Sequence, residues 1–193
     1  MGWANNLPVS TRGDDLDRVR TLIAEHRWAV QDVDRDRFRP ASAYTVGLTE
    51  HGLPELVVAG LPGCDATRLL NYVASHVLQT AALGPGDQIP LHSDPVIVGP
   101  MIEAVEVTVP AANLPVATRL YGQDLRALQL VYADDRGHWP WDPGYRGFRG
   151  DQPVLGARAG GHRRVDLAGS LPVPPHRPKI GRASCRERVS FLV

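Results

Sequence analysis

The sequence predicts an α+β fold: one domain whose largely antiparallel sheet is packed by two or three helices. Three observations carry this. Segments with strand character come in adjacent pairs, joined by turns that hold Gly and Pro. Few helical patterns lie between them. The strict strand–helix alternation of a parallel α/β sheet is absent. The chain has 193 residues, 43% hydrophobic and 22% charged. That is the size and composition of a single globular domain.

The elements follow in order. A helix is expected from Asp14 to about Arg27, where Leu16, Val19, Leu22 and Ile23 share a face and Thr11 or Asp14 caps the start. Trp28 to Val33 reads as a strand, and the charged run after it as a turn. Ser42 to Leu48 and Glu55 to Gly60 form a strand pair about the TEHGLP turn. The unbroken apolar run from Leu56 to Ala59 predicts a central strand covered on both faces. A second helix runs from about Asp65 to Thr80, with Ala66, Leu69, Leu70, Val73 and Val77 as its buried stripe. Strands at Val96 to Val98 and Ile102 to Val109, a short helix from Ala111 to Tyr121, and a strand from Arg126 to Ala133 complete the list.

Charge and composition divide the chain. Residues 1–145 carry 11 basic and 18 acidic side chains, whereas residues 146–179 carry seven and two. The later stretch is also rich in Gly and Pro, which predicts an extended tail. The expected organisation is an N-terminal lead (1–12), a folded domain (13–157), a Gly/Pro/Arg-rich tail (158–179) and a terminal piece (180–193). The string IGRASCRERV within that piece matches the translation of a common sequencing adapter, so it is set aside as read-through. Cys64 is then the lone cysteine, which predicts neither an internal disulfide nor a Cys-x-x-Cys metal site. A cytoplasmic location is the corresponding expectation. No apolar run reaches the roughly 20 residues of a membrane span, so no membrane association is expected. Nucleic acid is suggested only by the basic 146–179 segment, whose plainer reading is a solvated tail.

Two segments carry more than composition does. Tyr44 to Leu48 reads YTVGL and leads into Leu53 to Pro62, LPELVVAGLP. Gln129 to Trp141 reads QLVYADDRGHWPW. With His26 and Trp28 upstream and Gln152 to Leu155 downstream, these strings resemble a bacterial family catalogued as domain of unknown function 4262, over about residues 24–156. The resemblance implies a shared fold and surface. It supplies no reaction, cofactor, partner or catalytic residue.

The candidate site residues come from the same two segments. Tyr44 and Thr45 point to opposite faces of their strand, and Gly47 permits close approach of a ligand or a neighbouring strand. Tyr44, Thr45, Trp139 and Trp141 are the expected binding residues, the tryptophans as platforms for a flat ligand. Glu55, at the head of an apolar strand, has the setting of a general base with His51 in the preceding turn. Asp134 and His138 lie within five residues of one another and are candidate metal ligands. The plainer reading of Asp134 to Gly137 is a β-turn. Cys64, before the second helix, and His76 could form a nucleophile pair, although a buried thiol is commoner. Asp32, Asp34 and Asp36 imitate a calcium loop but have Arg37 and Ala43 where it needs Gly and an acid.

The first functional expectation is a ligand- or partner-binding module near YTVGL and the tryptophan turn. The alternative is a metal-assisted or acid–base hydrolase using His51, Glu55, Asp134 and His138. The hydrolase reading requires the two segments to converge in space.

Overall fold

The structure is a computed structural model that describes residues 11–37, 39–80, 82–91, 101–147, 152–161 and 163–165. It opens with α1 (Thr11–His26), β1 (Ala29–Val33) and β2 (Ser42–Val46). A 3-10 turn (Leu48–His51) leads to β3 (Glu55–Ala59), α2 (Gly63–Gln79), β4 (Asp87–Pro90) and β5 (Met101–Glu106). Two short helices follow, α3 (Pro110–Asn113) and α4 (Pro115–Tyr121), then β6 (Ala127–Tyr132) and β7 (Arg163–Arg164). The expected strand at Val96 to Val98 lies outside the described residues. No helix among the described residues is long and apolar enough to cross a membrane.

The seven strands form one sheet in the order β1-β2-β3-β6-β5-β4-β7. The α+β class holds, but the sheet is mixed rather than largely antiparallel. β3 runs parallel to β6, and β4 parallel to β7. The cause is connectivity: β4, β5, α3 and α4 all intervene between β3 and β6, so β6 returns in the same direction as β3. Hairpin logic captures only neighbours in sequence.

Both faces are covered. α2 packs over β1, β2 and β3, and its Ala66, Leu69, Leu70, Val73 and Val77 share one buried cluster with Ala43, Leu56, Val58, Ile102, Ala104, Leu128 and Leu130 of the sheet. On the other face α1 and α4 cover Ala29, Tyr44, Val46, Val57 and Ala127 with Val19, Ile23, Leu114 and Ala117. Leu56 to Ala59 of β3 are all buried, as their apolar run predicted, and so is Glu55 at its head. Gly47 shows why the YTVGL glycine is needed. Its φ is +128°, and a Cβ there would lie 2.6 Å from the Arg27 carbonyl and 2.8 Å from Trp28 Cα. What approaches it is therefore the chain entering β1.

The expected boundary at residue 157 is too early. Leu155 packs into the α1/α4 core, Arg158 and Arg163 make ion pairs on the sheet, and β7 pairs with β4. The Gly/Pro/Arg composition that suggested a tail describes, for residues 152–161 and 163–165, a strap laid over the sheet.

Candidate functional site

The parallel register of β3 and β6 decides the first question. Glu55 sits opposite Ala127, at the start of both strands. Asp134 lies just past the end of β6, seven residues beyond Ala127. At about 3.3 Å per residue that is about 23 Å away. His51 and Glu55 therefore occupy one end of the sheet, and Asp134 and His138 the other. The convergence that the four-residue hydrolase set required is not present.

At the first end, Glu55 is fully buried and its carboxyl group serves only as an acceptor. Oε2 accepts from Thr45 Oγ1 at 2.6 Å. Oε1 accepts from Gly47 N at 2.9 Å, Thr49 N at 3.0 Å and Thr49 Oγ1 at 2.8 Å. Thr45 Oγ1 in turn accepts from Leu56 N at 2.8 Å. His51 is exposed at the end of the 3-10 turn and is not among the donors. Glu55 is thus the tie that holds the first turn of that helix to β2 and β3, and its lone pairs are occupied by the fold. The same end holds a pair absent from the candidate list: Tyr121 Oη donates to Glu50 Oε1 at 2.9 Å. Burial, reinforced by that bond, pushes the Tyr121 hydroxyl pKa up.

Tyr44 and Thr45 are corrected as binding residues. They are 1% and 0% exposed, so neither reaches a ligand at the surface. Tyr44 Oη accepts the Val116 N–H at 3.2 Å, in the first turn of α4. Burial raises its pKa. Thr45 is occupied by Glu55 and Leu56. The Cys64–His76 pair also fails. Both residues lie on α2, where twelve positions span about 18 Å.

At the second end, Asp134 organises the loop. Its backbone N–H donates to His138 O at 2.7 Å, and its carbonyl accepts from Gly137 N at 3.0 Å, which closes the turn. Gly137 has φ +84°. The Asp134 carboxylate takes the N–H groups of Arg136 (3.0 Å) and His138 (2.8 Å) on Oδ1, and that of Arg146 (3.0 Å) on Oδ2. Burial disfavours its charge, but these N–H groups and the nearby His138 outweigh that and hold the pKa below the ordinary carboxylate value. His138 Nδ1 approaches Oδ2 at 3.5 Å without forming a hydrogen bond. Among the described residues no three His, Cys, Asp or Glu side chains group as a metal site. The bonds on Asp134 hold the turn closed around Gly137.

That turn presents Trp139 and Trp141. The two rings are half-buried and stacked, with centroids 5.3 Å apart and planes 13° from parallel. The backbone N–H of Trp139 donates to Asp142 Oδ2 at 2.8 Å. Arg158 lies with Cζ 3.9 Å from the Trp141 ring centroid, at cation–π distance. The same guanidinium forks onto Glu103 of β5, with Nε–Oε1 2.9 Å and Nη2–Oε2 3.2 Å. Gln88 Nε2 donates to Glu103 Oε2 at 2.9 Å. Gln129 of β6 holds the strap by its backbone, donating to Pro153 O at 2.6 Å and accepting from Leu155 N at 2.7 Å. Gln152 reaches back to the backbone of Tyr132 with both ends of its amide, at 3.0 Å each.

Glu103, Gln129 and Arg158 were missed by the sequence reading. The first two left a signal: each is a polar residue flanked by apolar ones within its strand, MIEAVE and ALQLVY. Buried polar groups have partners, so a strap over that face was implied. Nothing local pointed to Arg158.

The family profile described as Domain of unknown function (DUF4262) matches residues 22–146, and the chain belongs to this family. No curated protein and no solved structure matches the chain.

Proposed function

We propose that this chain is a binding module whose working surface is the Trp139–Trp141 turn. The observation that carries the reading is the stacked, half-buried tryptophan pair, set on a turn that Asp134 holds in place and joined by the Arg158 guanidinium. Large aromatic rings left partly in water, rigidly held and beside a cation, are the usual anchors of binding surfaces. A flat or cationic ligand is the class such a pair accepts. The hydrolase alternative loses support, because its four groups lie at opposite ends of the sheet and Glu55 is committed to holding β2, β3 and the 3-10 turn. Nucleic-acid association is weakened too. Arg158 and Arg163 are engaged by Glu103 and Asp87, and only part of the basic stretch is left for phosphates.

The test follows the tryptophan indole N–H resonances in a ¹⁵N-labelled chain. A panel of small aromatic and cationic compounds is titrated in. Shifts confined to Trp139 and Trp141, abolished in W139A or W141A for the altered residue's partner as well, support the reading. A panel that perturbs Trp28 or no indole at all refutes it.

A further inference from the structure

We propose that the floor of β4, β5 and β6 beside the tryptophan turn is a peptide-binding groove for an extended, arginine-bearing segment, occupied in this chain by its own residues 152–158. The proposal rests on the binding-module reading and names its ligand class. It begins with the floor. The registers set Gln88 opposite Glu103, and Val105 opposite Gln129. Glu103 and Val105 are two residues apart, so Gln88, Glu103 and Gln129 share one face of the sheet. Glu103 and Gln129 are fully buried there. A well-packed apolar floor is generally as stable as a buried ion pair, or more so. A polar floor instead selects which segment lies on it.

The contacts divide as peptide recognition does. Gln129 grips the backbone at Pro153 and Leu155, and Thr108 N adds a bond to Leu155 O at 3.1 Å. These contacts read an extended chain without reading its sequence. Side-chain selection comes next to them. Leu155 fills the apolar core beneath it. A Cβ on Gly156 would collide with the Glu106 carbonyl, so that position accepts only glycine. Arg158 is read twice, by the Glu103 fork and by the Trp141 face. The pattern is Leu-Gly-x-Arg on an extended backbone. The floor and the tryptophans lie inside the family match at 22–146, and the occupying residues 152–158 lie beyond it. A peptide of the same pattern supplied in trans competes with the strap.

The experiment measures fluorescence anisotropy of a labelled peptide with residues 152–159 (QPVLGARA) against the full chain. R158A loosens the strap and is expected to bind this peptide at least tenfold more tightly than the unaltered chain does. The same peptide with Arg replaced by Ala should bind R158A at least tenfold more weakly. Equal capture by R158A and the unaltered chain, no capture by either, or indifference to the peptide's Arg overturns the proposal. If R158A does not fold, R158K keeps a cation beside Glu103 but not the fork. It too must capture the peptide more tightly than the unaltered chain, and equal capture overturns the proposal. The indole titration separates the two readings. Small ligands that shift Trp139 and Trp141 while the peptide fails refute the peptide groove and leave the binding face. Silence of both indoles to everything removes both.

Discussion

Replacing Glu55 with Ala deletes a fully buried acceptor of four hydrogen bonds. The two threonine hydroxyls can rotate to other partners. The Gly47 and Thr49 N–H groups cannot, because the backbone that carries them is fixed by β2 and the 3-10 turn. A buried donor left without a partner costs about 1–3 kcal/mol. Two such donors, with the cavity left by the side chain, give an expected loss of about 3–5 kcal/mol for E55A. For a chain of this size that lowers Tm by roughly 6–20 °C, at about 2–4 °C per kcal/mol. E55Q is the sharper comparison. Its amide oxygen can still accept from Gly47 and Thr49. Its NH₂ replaces the oxygen facing Thr45, whose own hydroxyl proton then loses its acceptor. One unsatisfied group predicts a loss of about 1–2 kcal/mol. Urea unfolding with a constant m-value measures both. E55A within about 1 kcal/mol of the unaltered chain would refute the structural account and restore Glu55 as a group held for chemistry.

Three further outcomes follow from the same geometry. G47A is expected to lose at least about 3 kcal/mol, since neither its φ of +128° nor the Arg27 carbonyl leaves room for a Cβ; thermal unfolding within a few degrees of the unaltered chain would contradict this. Y44F is expected to lose about 1 kcal/mol, because the Val116 N–H at the start of α4 loses its acceptor, and the tryptophan titration should be unchanged. The acid limb of stability depends on Asp87 and Asp134. Burial opposes the charge of Asp87, but the Arg163 fork and the Gly84 N–H prevail and hold its pKa low; the Asp134 pKa is likewise lowered. Both contribute stability that is present above the unfolded carboxylate value and lost as pH falls through the folded one. Unfolding midpoints should hold above pH 5 and fall below about pH 4. D87N should be less stable at pH 7 and show a shallower acid decline, and curves parallel to the unaltered chain would refute the assignment.

The binding surface and the buried tie have different origins in the sequence. The tryptophan turn is local: Asp at its head, Gly before its end and two tryptophans beyond it are read from eight consecutive residues. Its shape was therefore legible, and so was its plainer reading as a turn. Glu55 was legible as an unusual buried carboxylate. Its task was not, because its donors come from Thr45, Gly47 and Thr49 on a neighbouring strand and turn.

Local patterns determined α1, α2, the β2–β3 pair about its turn, the two-faced burial of β3 and the family resemblance, since period and turn chemistry act between near neighbours in the chain; β4 and the break between α3 and α4 were not read from them. Only the tertiary structure decided three matters. The parallel return of β6 set His51 and Glu55 far from Asp134 and His138. The packing of α4 and β3 took Tyr44 and Thr45 into the core. The strap carried Arg158 across 55 residues of sequence to Glu103. Each depends on which strand lies beside which, and strand order is chosen by the packing of the whole core rather than by any one segment's propensity.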